Sequence, residues 1–252
     1  MTHTTPPTIA VFGAGSTGCY LAAELLLAKL DVTIICRQRI KNSIMTHQGI
    51  HISDYLGMQQ TIMPSNILTE IDLTNDNNSQ YDVIFVTLKS HQIAMIYPDL
   101  QAISHANTEI IFMQNGIGSF DEAKYKLVQQ QLYQGITPFN VLQKDKARFH
   151  KGTEGHFIWP KTQFTQIIAK AMHQHQLNCE LTNNMQAVIC GKLLLNLNNA
   201  LNAISNLPIK TQLQQRPYAS CWPRQCKSGL MYVKKLSFPL SNLLNWPPNG
   251  CQ

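Results

Sequence analysis

The 252-residue chain has no acidic residue after Glu180, no C-x-x-C pair among its seven cysteines, and no run near the roughly 18 consecutive apolar residues that cross a membrane. The last absence excludes a membrane-spanning segment, and Met1 to Pro7 does not read as a signal peptide. A soluble, cytoplasmic protein with no membrane partner is expected. Without C-x-x-C or another metal-ligand spacing, no metal is expected; Cys19, Cys36 and Cys190 fall inside predicted elements and read as reduced, small apolar residues. The charge is also uneven. Residues 1–180 hold 13 Lys+Arg and all 14 Asp+Glu, a sum of −1, whereas residues 181–252 hold 7 Lys+Arg and no acid, a sum of +7. No RNA-binding motif and no basic stripe interleaved with aromatics accompanies that excess, so a nucleic-acid partner is not expected.

What the chain does have is Gly13-Ala14-Gly15-Ser16-Thr17-Gly18, a G-x-G-x-x-G that follows an apolar strand, Ile9 to Phe12, and opens a helix, Ser16 to Leu30. Strand, glycines and helix together form the context of a dinucleotide site. Gly13 makes the tight turn, Gly15 lets the backbone approach a pyrophosphate, and Gly18 brings the helix close to the sheet. The helix N-terminus presents free N–H groups to the phosphates. NAD-specific sites place an acid about 20 residues further on. Here Arg37 stands 19 positions after Gly18, at the end of the strand Asp31 to Arg37, with Arg39 and Lys41 behind it. A guanidinium can hold a 2′-phosphate that a carboxylate would repel, which favours NADP(H); the same residues also suit ordinary solvated surface cations.

Extended runs at Gly49 to Ser53 and Met58 to Met63, parted by Tyr55-Leu56-Gly57, suggest a hairpin or an irregular excursion. Asn75 to Gln80 is a polar loop. Strands are predicted at Tyr81 to Leu88, Glu109 to Met113, Leu132 to Ile136 and His156 to Trp159, with helix-compatible stretches at Gln92 to Ser104 and Thr162 to Gln174. Alternating strands and helices predict an α/β Rossmann-type, doubly wound parallel sheet over residues 1–183. From Asn184 the pattern becomes helical: Met185 to Ile204 contains no proline and Pro208 limits it, so residues 184–252 are expected to form a helical substrate domain.

Within that helix Lys192, Asn196 and Asn199 stand at i, i+4 and i+7 and so project inside an arc of about 60°. A lysine and two amides so aligned could bind a small anionic, carbonyl-bearing substrate; the pattern equally fits a solvated polar stripe. Lys89 and Asn115 stand at the carboxyl ends of two predicted parallel strands, the edge where open α/β sheets bind ligands, although either could simply cap backbone groups in a loop.

Four pieces, Gly13-Ala-Gly-Ser-Thr-Gly18, Val86-Thr-Leu-Lys89, Gln114-Asn-Gly116 and Gly191-Lys-Leu-Leu-Leu-Asn196, resemble in order and spacing those of the ketopantoate reductases (2-dehydropantoate 2-reductases), over residues 8 to about 218. The resemblance implies NADPH-dependent reduction of the 2-keto acid ketopantoate to pantoate, on the way to pantothenate and coenzyme A. It implies that Gly13, Ala14, Gly15, Ser16, Thr17 and Gly18 cradle the pyrophosphate and that Arg37 faces the 2′-phosphate. Lys89 and Asn115 would line the nicotinamide side, with Asn115 also touching substrate. Lys192 would be the catalytic lysine, and Asn196 would hold substrate. Some members keep a second amide eight positions after the lysine, where this chain has Ala200, so Asn199 is the nearest candidate. The resemblance leaves open a homodimer, another branched 2-keto acid as substrate, and a dinucleotide-binding remnant without turnover.

The chain departs from the family at its end. The family's helical domain supplies a serine and a glutamate to the site, and the glutamate has no counterpart here. After Tyr218 only Gly229 to Leu236 looks helical, and the segment holds three of the seven cysteines and two of the three tryptophans. The tail is therefore expected to be a frameshifted, prematurely ended form of the family's helical domain, which sequencing the coding DNA would decide.

Overall fold

Every residue of the first strand, Ile9–Phe12 (β1), is buried, because the strand has a core on each side: Ile9 and Val11 enter one apolar cluster, Ala10 and Phe12 another. Period-two side-chain alternation under cover on both faces gives the continuous apolar run seen in the sequence. The computed structural model describes residues 6–69, 80–115, 118–215, 217 and 220. The chain divides into two units, Met1–Asn183 and Asn184–Gln252.

In chain order the first unit continues with helix α1 (Ser16–Leu27), strand β2 (Val32–Ile35), helix α2 (Gln38–Thr46), and strands β3 (Ile50–Asp54), β4 (Gln59–Ile62), β5 (Asn66–Leu68) and β6 (Tyr81–Val86). A 3-10 helix (Ser90–Ile96) runs into α3 (Tyr97–Ala102), followed by β7 (Ser104–Phe112), α4 (Gly118–Lys126), β8 (Gln131–Gln134), β9 (Val141–Asp145), β10 (Arg148–Lys151), β11 (Phe157–Pro160), α5 (Gln163–Gln174) and β12 (Cys179–Thr182). The second unit is described through α6 (Met185–Ser205) and α7 (Ile209–Gln214).

Six strands form one parallel sheet in the order β5-β2-β1-β6-β7-β8. Counted within the sheet this is the 3-2-1-4-5-6 order of a doubly wound dinucleotide fold, whose direction of winding reverses between β1 and β6. Helices α1 and α5 cover one face through Leu21, Leu25, Phe164 and Ile168; the 3-10 helix, α3 and α4 cover the other through Ile93, Leu100 and Ala123. The expected α/β architecture is present. Helix α5 is fixed by a shared acid: Thr162 caps it by accepting the Thr165 N–H at 3.1 Å and donates its own hydroxyl to buried Glu109 of β7 at 2.5 Å. Burial raises the pKa of Glu109, while the Thr162 bond opposes that rise.

The structure differs from the sequence reading in several places. The stretch Gln92 to Ser104 is two helices, because Pro98 lacks an N–H and fits only in a first helical turn; α3 starts around it. Strand β7 begins at Ser104, its polar first half pairing with Tyr81 before a register shift. The hairpin β3–β4 belongs to a second sheet, β4-β3-β10-β9, in which β3 pairs in parallel with the distant β10. A third, two-stranded parallel sheet joins β11 and β12. The expected loop at 75–79, the helix at 229–236 and the atypical tail from 219 lie outside the described residues, Ser220 apart.

A second carboxyl, besides Glu109, lies deep in the first unit. Glu24 of α1 is buried, and the loss of hydration pushes its pKa from 4.5 to about 7; Lys151 of β10 works against that shift and Asp54 of β3 adds to it. Lys151 is itself buried, its Nζ 4.5 Å from the centre of the Phe139 ring.

In the second unit, Asn184 caps α6 by accepting the Ala187 N–H at 3.2 Å, and Asn206 ends the helix in the left-handed conformation, φ 51°, two residues before Pro208. Asn202 ties the next turn back: its amide donates to Leu207 O at 2.7 Å and to Gln212 Oε1 at 2.9 Å.

Candidate active site

The carboxyl ends of four adjacent strands, β2, β1, β6 and β7, carry Arg37, the glycine loop, Lys89 and Asn115 in that order along one sheet edge. Separated by up to 102 positions in sequence, they are neighbours because parallel strands all end on the same side. Gly15, Arg37, Lys89 and Asn115 are exposed, whereas Gly13 and Gly18 are buried.

The three glycines do different work. Gly13 has φ +110°, a conformation L side chains rarely adopt, and its N–H donates to Ile35 O at 2.9 Å. A Cβ on Gly18 would collide with Gly13 O and Thr87 Oγ1, so only glycine lets α1 pack this close to the loop. A Cβ on Gly15 would meet nothing within 4 Å: the space above that residue is open. Glycine at Gly15 is thus required by no protein neighbour, which is the condition for a position that a ligand approaches along the backbone. Helices α1 and α2 both start at this edge, capped by Gly15 and Arg37 and free of acidic residues in their first turns. Their exposed N–H groups and the Arg37 guanidinium make the edge electropositive. These residues fit a dinucleotide with an additional phosphate.

Two positioning residues escaped the sequence reading. Thr87 donates its hydroxyl to Gly13 O at 2.5 Å, fastening the end of β6 to the glycine turn. Gln114 donates its amide to Val86 O at 2.8 Å and Leu88 O at 2.9 Å, latching the end of β7 to that of β6 and so setting the bases of Lys89 and Asn115. Both are polar residues at strand ends inside the quoted motifs, and that placement was the available signal. Beneath the loop, Cys19 Sγ donates to Ala14 O at 3.4 Å, and burial raises the Cys19 pKa far above the usual thiol range.

In the second unit, Lys192 and Asn196 are half-buried on α6 and Asn199 is exposed. The Asn199 amide reaches Asn196 Oδ1 at 3.5 Å, a marginal bond that nevertheless places the two amides side by side. Burial lowers the pKa of Lys192. A partly desolvated ammonium of this kind binds an anion or carbonyl oxygen firmly and releases its proton more readily than a surface lysine.

Comparison with known proteins bears on the first unit above all. The family model described as Ketopantoate reductase PanE/ApbA matches residues 9–163. The 2-dehydropantoate 2-reductase of Bacillus subtilis (strain 168) is 31% identical over 145 residues, which are 57% of this chain and 45% of that protein. The aligned segment thus spans about half the length of that curated relative. Among solved structures, the PanE/ApbA family ketopantoate reductase from Ralstonia eutropha JMP134 superposes with a TM-score of 0.76 at 16% identity, covering 92% of this chain and 76% of that one. The probable 2-dehydropantoate 2-reductase from Bacillus subtilis gives 0.73 at 21% identity, over 94% and 79%. At those identities the structural likeness is one of fold. Lys192, Asn196 and Asn199 lie beyond the residues that the family model matches.

Proposed function

Because the chain belongs to the ketopantoate reductase family, we propose that it is an NADPH-dependent 2-keto acid reductase acting on ketopantoate. The observation that carries the reading is the sheet edge: an open position above Gly15, a left-handed Gly13, and Arg37 where an NAD site keeps an acid. Gly13 to Gly18 hold the pyrophosphate, Arg37 the 2′-phosphate, and Lys89 and Asn115 the nicotinamide side. When bound, NADPH supplies the hydride.

The chain's own contribution is position and charge. Asn196 and Asn199 orient the substrate through hydrogen bonds, and Asn115 touches it from the cofactor side. The Lys192 ammonium holds the ketone oxygen, stabilises negative charge as it develops there, and donates a proton to that oxygen to complete the alcohol. Its depressed pKa suits that last step. In this reading residues 1–183 take the cofactor and residues 184–252 the substrate, and the protein works in the cytoplasm, where a dimer of the kind named for the Staphylococcus aureus ketopantoate reductase is the expected assembly.

The deciding experiment follows NADPH oxidation by absorbance on the purified chain with ketopantoate and with other branched 2-keto acids. Turnover highest with ketopantoate is expected. Higher turnover on another keto acid would reassign the substrate. NADPH binding without any turnover would make the chain a dinucleotide-binding protein, the reading favoured by the lack of any acid after Glu180.

A further inference from the structure

The second sheet, β4-β3-β10-β9, has an inner and an outer side. Ile52 and Phe149 point inward and are buried. On the outer side the parallel register places Arg148 beside His51 and His150 beside Ser53, and the antiparallel register places Thr61 across from His51. A groove of about 440 Å³ crosses this side, lined by these residues together with Asp54 of β3 and Lys144 of β9, among others.

The histidines of the groove are held by hydrogen bonds. His51 Nε2 lies 2.9 Å from His47 O, and a carbonyl only accepts, so that nitrogen carries a proton; Nδ1, 2.8 Å from Thr61 Oγ1, then takes the threonine hydrogen. His150 Nδ1 lies 2.9 Å from Ser53 Oγ, and its Nε2 has no hydrogen-bond partner among the described residues. Lys144 and Arg148 are exposed and form no ion pair among the described residues. Of the nearby carboxylates, Asp54 accepts the Leu56 and Met58 N–H groups at 2.9 and 2.8 Å, and Asp145, across from Arg148 in the β9–β10 register, accepts the Lys146 N–H at 2.7 Å. Asp54 also belongs to the inward side of β3, with Ile52.

We infer that this groove is a binding site for a small ligand carrying two phosphate groups, held by Arg148, Lys144 and His150. Arg148, Lys144 and His150 line one groove, in which Asp54 is the one acid among the described lining residues, and guanidinium and ammonium are groups that pair strongly with phosphate oxygens. Arg148 and His150 are two residues apart on one strand face, roughly 7 Å, so a diphosphate can offer each of them a phosphate of its own. Being on a different sheet from the glycine loop, the groove is a second anion site and does not depend on the proposed reductase activity.

Backbone amide NMR of the full chain, titrated with inorganic pyrophosphate, tests the inference. Saturable shifts are expected at His51, Ser53, Arg148 and His150, read separately from any at Gly13 to Gly18. The exposed double substitution Lys144→Ser/Arg148→Ser should weaken that response at least tenfold while the rest of the spectrum stays in place, and Lys144→Glu alone should weaken it in the same direction. The inference is overturned if these four amides do not respond saturably, if sodium chloride at equal ionic strength reproduces the shifts, if triglutamate binds as tightly as pyrophosphate, or if the double variant binds unchanged.

Discussion

The two places where this chain meets its proposed ligands are built in opposite ways. On the proposed reading, the sheet edge of the first unit recognises through backbone and empty space: Gly13 bends, Gly15 leaves room, Gly18 permits contact, and Thr87 and Gln114 hold the strand ends from behind. On the same reading, helix α6 recognises through side chains carried on a regular backbone, Lys192, Asn196 and Asn199. The first kind of site is damaged by adding atoms and the second by removing them.

Gly18→Val should have the largest effect. Its side chain cannot fit against Gly13 O and Thr87 Oγ1, so NADPH titration should detect no binding, with a loss of stability of about 1–3 kcal/mol or more. Gly15→Ala sharpens the point: the added methyl meets no protein atom, so the unfolding midpoint should hold while NADPH affinity falls. Equal thermal damage from both substitutions would show that the loop's glycines serve folding alone. Lys192→Ala comes next, expected to reduce turnover roughly 10²- to 10⁴-fold with NADPH affinity unchanged. A large loss of NADPH affinity in that variant would remove the division of labour between edge and helix.

Glu24 tests the interior behind the edge. Between pH 4.5 and about 7 the folded chain keeps a proton that the unfolded chain has released, so this residue makes stability fall as pH rises through that window, by on the order of 3 kcal/mol. Urea unfolding of the natural chain and Glu24→Gln at pH 4.5 and pH 8 isolates the term: the difference between the two proteins should change in favour of the variant at the higher pH. A difference that does not vary with pH would mean that Glu24 is not desolvated as its burial indicates. The smallest expected effect is that of Arg37→Ala, which should lower the preference for NADPH over NADH by about 1.5–3 kcal/mol in the ratio of kcat/KM values. An unchanged preference would place the 2′-phosphate elsewhere.

The contrast between backbone and side chain also explains what was legible in the sequence. Strand β1 and the start of α1 could be read directly, since a strand buried on both faces and a glycine loop leave local signatures. Strand β9, Val-Leu-Gln-Lys-Asp, is exposed along most of its length and carries no alternation to read; it exists because β10 pairs with it. Strand β10 in turn pairs with β3, whose partner residues lie 97 positions earlier, and nothing local encodes that. For the candidate site, the residues that face outward were visible as motif positions, whereas the work of Thr87 and Gln114 depends on which carbonyls come within reach once the sheet has formed.

The buried thiols give the molecule internal clocks. Cys19 and Cys36 lie within the first unit and Cys190 within α6, all shielded from solvent. Burial holds the Cys19 and Cys190 thiols protonated, and a thiol attacks an electrophile such as iodoacetamide only as the thiolate. Alkylation at these positions therefore waits for local opening. Mass spectrometry of peptides spanning Cys19 and Cys190 during a single labelling time course would report, from the unmodified chain, which of the two units breathes first.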